Sequence, residues 1–207
     1  MSEVSTTNAP AGIGHGHDET SMGVDSRKLG LWAFIGSETL FFAALIVTYL
    51  IFKPVNEARP ENQLPHEFLA INFTAGLAAI LLASSLTMVL SIAAIRQNNQ
   101  RMFRIWLGAT IGLGLMFLGG QVYEFYHLYA EGLTLGSSLL GSTFFVLTGF
   151  HGTHVAIGVV WLSMIMWRGL KRGYSANDHM DVELGGMYWH FVDLVWVAVF
   201  TLIYLLP

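Results

Sequence analysis

The chain has no cysteine and few charges, and each shortage excludes something. Without Cys there is no disulfide framework, no thiolate metal centre and no thiol nucleophile. Charged residues make up 12% of the 207, against about 25% in an ordinary soluble domain. Such a chain must bury its surface in lipid or against other subunits. The net charge of −4 is small, which sets nucleic acid aside as a partner. The sequence also lacks the short alternating segments of a β-barrel. Residues 1–28 are polar, rich in Gly, Ser and Thr, and contain no apolar run. They read as neither a secretory signal nor an Arg-rich transit peptide, but as a disordered cytoplasmic tail that stays attached. The HGHDE within that tail reads as solvated residues rather than a metal site.

What is present is hydrophobic length. With 54% hydrophobic residues, five apolar runs are long enough to cross a bilayer, which takes about 20 residues. They lie near Leu29–Phe52, Leu69–Ile95, Phe103–Tyr129, Leu139–Trp167 and Leu184–Leu206. Backbone groups in hydrocarbon must find partners within their own segment, so each run is expected to be a helix. The fold class is therefore all-α, a five-helix membrane domain over residues 29–207. Basic residues orient it. Arg27, Lys28, Arg96, Arg101, Arg104, Arg168, Lys171 and Arg172 fall on one side, and only Lys53 and Arg59 on the other. The positive-inside rule then puts the N-terminus inside and the C-terminus outside. Trp32, Trp106, Trp167 and Trp189 fall toward the inner interface, and Tyr49, Tyr126, Tyr129 and Tyr204 toward the outer one, as aromatic belts do. Ala75, Ala79 and Ala83, and Gly108 with Gly112, repeat at four-residue spacing and predict close helix contacts.

Ionisable groups inside the spans cost about 2.5–3.5 kcal/mol each at mid-helix, so each that is retained needs a reason. Glu38, in GSETLFF, reads either as a proton-handling or headgroup site or as a carboxyl bonded to a neighbouring helix. Glu124, with His127 at i+3, reads as a local hydrogen-bonded pair. His151 and His154 share one helix face, and His190 and Asp193 repeat that spacing on the next helix. With Glu183 at the inner end, they predict a polar seam between the last two helices. A proton path and haem or metal ligation are rival readings of the seam. No HExxH and no local trio of ligands is present, so a structural seam is favoured and no catalytic residue or metal site is assigned.

Several of these stretches, taken in order, resemble subunit III of the haem-copper oxidases, both cytochrome c and quinol oxidases. They are GSETLFF, INFTAGLAAILLASS, GQVYEFYHL, GSTFFVLTGFHGTHVAIG and YWHFVDLVWVAVFTLIYL. The resemblance covers roughly residues 28 to 206 and is to the five-helix bacterial form. Thr39 and Thr153 depart from the usual family residues. The resemblance implies a non-redox core subunit of a proton-pumping bacterial plasma-membrane oxidase, without haem or copper of its own, that supports proton uptake and protects the catalytic subunit during turnover. It implies contact with subunit I and subunit II, with subunit IV and a respiratory supercomplex as further candidate partners, and bound phospholipid. By the same likeness, Glu38 is the carbodiimide-reactive carboxyl, and His151, His154, Glu183 and His190 shape the lipid-bearing region. A subunit-III-like protein of nitric oxide reduction, a stand-alone transporter and a bis-His cytochrome stand as alternatives.

Overall fold

The computed structural model describes residues 25–57, 71–130, 132, 134–136, 139–176 and 178–205. The expected tail up to residue 24, with its HGHDE, and residues 58–70 lie outside them. Five helices follow in order: α1 Ser26–Glu57, α2 Ile71–Arg96, α3 Gln100–Ala130, α4 Leu139–Lys171 and α5 Met180–Phe200, the last continuing into a π-helical turn, Thr201–Leu205. All five are long and apolar enough to cross a membrane. No strand occurs among the described residues.

The helices end where the sequence stops rewarding them. Asn98 adopts φ 55°, a left-handed conformation that Asn tolerates better than most residues. Asn99 Oδ1 then accepts the Met102 N–H at 3.1 Å, an N-cap for α3. This three-residue turn makes α2 and α3 antiparallel neighbours. Gly173, at φ 72°, breaks the chain after α4 as a C-terminal glycine does.

Helix α5 lies at the centre. It packs on α1, α2 and α4, while α3 packs on α2 and α4. Helix α1 is peripheral, seated on α4 and α5 through a narrow stripe that includes Phe42 and Tyr49. Close approach comes from glycines other than those the spacing predicts. A Cβ on Gly114 would lie 2.6 Å from the Trp189 ring, and one on Gly158 2.9 Å from it. One indole thus wedges α3 and α4 against α5. Gly185 and Gly186 admit Ile165 of α4 and Ile92 of α2 in the same way. Ala79 and Ala83, by contrast, are exposed, and nothing lies within 4 Å of a Cβ on Gly112. Ala79, Ala83 and Gly112 are therefore not contact surfaces within this chain, whereas a Cβ on Gly108 would touch Met166 of α4 at 3.7 Å.

Candidate functional site

The ionisable residues within the spans form separate small sites rather than the single seam that the i,i+3 spacing predicts. Glu38 lies near the middle of its span and is not a lone carboxyl. Its Oε2 meets His154 Nε2 at 3.2 Å, joining α1 to α4, while His154 Nδ1 lies 2.8 Å from the Phe150 carbonyl. The Tyr188 hydroxyl of α5 donates to the His154 carbonyl at 3.1 Å, and Phe42 stands edge-on to the imidazole. The carboxyl keeps about a fifth of its surface open. It is accessible from outside the bundle yet oriented from within, an arrangement able to hold or pass one proton.

His151, one turn away on α4, has different neighbours. It is fully buried, stacked on Trp196 at 4.8 Å and edge-on to Phe117. Neither ring nitrogen finds a hydrogen-bond partner among the described residues. Beside it, Gln121 of α3 donates to the Thr148 carbonyl at 2.7 Å, so Gly152 is needed where that amide passes.

On α5, His190 and Asp193 face α2 and not α4. His190 Nδ1 lies 2.6 Å from Ser85 Oγ. Asp193 is buried beside the same serine, with neither carboxyl oxygen in hydrogen-bond geometry. The preceding Trp189 Nε1 donates to Ser84 Oγ at 2.9 Å. Glu124 does not pair with His127, which is exposed. Its Oε1 accepts from Thr74 at 2.8 Å and from Tyr204 at 3.0 Å, tying α2, α3 and the π-helical turn together.

At the basic end, Glu183 is a hub. It accepts from Lys28 of α1 and Arg96 of α2, both at 2.9 Å, and meets His179 at 3.1 Å. Arg168 pairs with Asp181 and lies over the Tyr174 ring, while burial pushes the Tyr174 phenol up to about 12. The Gln100 amide donates to the Tyr174 carbonyl. Among the described residues no group of three His, Asp or Glu side chains could hold a metal ion. The partners Ser84, Ser85, Thr74 and Tyr204 were missed from sequence. Hydroxyls in apolar helices were their only signal, and most such hydroxyls merely bond their own helix, as Ser37, Thr39 and Thr48 do.

A profile of the family described as "Cytochrome c oxidase subunit III" matches residues 11–206. A cytochrome c oxidase subunit 3 of Bacillus subtilis (strain 168) is 40% identical, over 87% of this chain and 86% of that one. One from Synechocystis sp. is 39% identical, over 99% and 84%. A quinol oxidase subunit 3, also of Bacillus subtilis, is 34% identical, over 93% and 95%.

Proposed function

The chain belongs to the cytochrome c oxidase subunit III family, and from that premise we propose that it is the non-redox subunit III of a proton-pumping haem-copper terminal oxidase. It is a multi-pass plasma-membrane protein and part of an oxygen-reducing oxidoreductase, while haem and copper reside on partner subunits. Contact with subunit I, and assembly with subunit II, complete the reading. A subunit IV and a respiratory supercomplex remain candidate partners. Nothing in the likenesses favours the nitric oxide reductase or transporter readings. The N-terminus is assigned to the inside because the basic residues cluster at that end.

One observation carries the functional role: the Glu38–His154 pair, 3.2 Å across α1 and α4 and partly open. A carboxyl held by an imidazole at this depth can bind a proton while remaining accessible to a partner subunit or lipid. This supports Glu38 as the proton-linked, carbodiimide-reactive group that assists proton uptake. A second feature supports bound phospholipid. An apolar groove of about 470 Å³ runs along α4 past Thr153, Ile157 and Val160. Through Trp161 and Met164 it meets a recess of about 270 Å³ at Arg168 and Asp181. The apolar lining suits an acyl chain, and the charged end suits a headgroup.

Purification of the tagged chain from native membranes tests the assignment. Haem absorbance and oxygen uptake are expected to co-purify, and uptake with cytochrome c or with quinol identifies the donor. A colourless chain that comes away alone overturns the reading. Glu38→Gln is expected to leave assembly and haem spectra unchanged while abolishing carbodiimide labelling of this chain. Label that persists at another residue contradicts the role given to Glu38.

A further inference from the structure

Most lipid-facing hydroxyls among the described residues satisfy themselves. Ser37, Thr39, Thr48, Thr143, Thr153 and Ser163 each donate to a carbonyl one turn back on their own helix. His190 has no such recourse. Its Nδ1 is taken by Ser85, while Nε2 makes no hydrogen bond among the described residues and is not enclosed. The ring is half-buried near the middle of the span Met180–Tyr204. An unmet N–H or lone pair at that depth is costly, because acyl chains can neither donate nor accept.

The surroundings have the shape of a helix seat. Helices α1 and α2 both pack on α5 and scarcely touch each other. His190 bonds to α2 on one side of α5, and Tyr188 meets Phe34 of α1 on the other. Between them Met187, His190, Leu194 and Val197 follow at i, i+3, i+7 and i+10, a single helix face. Leu194 is 69% exposed. Toward the basic end, Val89, Ile92 and Ala93 of α2 line a recess of about 440 Å³. Lys28 and Arg96 close that end by gripping Glu183 from both sides. Beneath the imidazole lie Ser85 and the buried Asp193 carboxyl, whose oxygens lack hydrogen bonds among the described residues.

We propose that the groove between α1 and α2, over α5, docks one transmembrane helix of another oxidase subunit, which presents a hydrogen-bonding side chain to His190 Nε2 at mid-membrane depth. Ser85 occupies Nδ1 at 2.6 Å, so in either tautomer Nε2 is the ring atom left for a partner. An apolar helix fills the seat around Leu194 and Val197, and its one polar side chain fixes register, as polar contacts do between membrane helices. The inference rests on the oxidase-subunit reading and adds the place and chemistry of the contact.

The chain has no cysteine or other ready crosslinking handle at this face, so a benzophenone amino acid is placed at Leu194 in the tagged full chain and irradiated in native membranes. The expected product is an adduct with a membrane segment of another oxidase subunit, identified by mass spectrometry. Adducts with lipid alone, in a complex that keeps its haem, overturn the docking site and leave the subunit assignment standing. A chain recovered without haem overturns both. His190→Leu is expected to lower the partner retained in detergent by roughly three- to tenfold, whereas His190→Gln, whose amide can both donate and accept, retains it. Equal retention by the leucine variant contradicts the proposal.

Discussion

Glycine at position 114 decides whether α5 can sit where it does, because the buried Trp189 ring occupies the place of a Cβ at 2.6 Å. That indole is fixed on three sides, by α3, by α4 and by its bond to Ser84. Gly114→Ala is therefore expected to destabilise the chain by about 1–3 kcal/mol through overpacking, seen as a lower thermal midpoint in detergent. Gly112→Ala, facing open space, is expected to be neutral, and an equal loss at both positions contradicts the wedge. The Glu38–His154 contact makes a second expectation. Glu38→Gln and His154→Ala, made singly and together, should show a coupling of about 0.5–3 kcal/mol in a double-mutant cycle. Strict additivity would remove the pair from the account. Residues on one helix were legible in the sequence, since i,i+3 spacing puts His151 near His154 and His190 near Asp193. Their partners were not. Glu38 and His154 stand 116 positions apart, and no periodicity within either helix reports which neighbour it faces.

At the scale of elements, hydropathy located the five helices, and α1, α3 and α4 run past their apolar runs. Helix α1 was expected over Leu29–Phe52 and runs Ser26–Glu57. Helix α4 continues past Trp167 to Lys171. At the basic ends the added turns carry Arg27, Lys28, Arg168 and Lys171, so an apolarity count stops before the helix does. Those same ends anchor the most weakly packed element. Helix α1 buries little of itself, and Lys28–Glu183 fastens its basic end at 2.9 Å. Glu183→Gln is expected to raise amide exchange in the first turns of α1 by about threefold, the effect of losing a partly exposed ion pair. Exchange in α3 should not change. A uniform rise across all helices would mean that Glu183 supports the whole bundle instead.

For the whole molecule, the sequence carried the helix count and the family likeness, because five membrane-length runs leave few alternatives to a helical bundle. It could not supply the arrangement. That α5 is central and α1 peripheral depends on which glycines admit Trp189, Ile165 and Ile92, a matter of shape rather than pattern. The proposed orientation has a direct check in a chain without native cysteine. A single cysteine at the exposed Ser175 is expected to react with an impermeant maleimide in inside-out vesicles and to resist it in right-side-out ones. The reverse pattern would invert the topology. The central claim, a supporting subunit without a redox centre of its own, is tested most directly by comparing the purified oxidase with and without this chain. Haem spectra per mole of oxidase are expected to be identical, while oxygen uptake by the stripped enzyme should start normally where protons are plentiful and then decay faster during turnover. Loss of a haem or copper signal together with the chain would contradict the account.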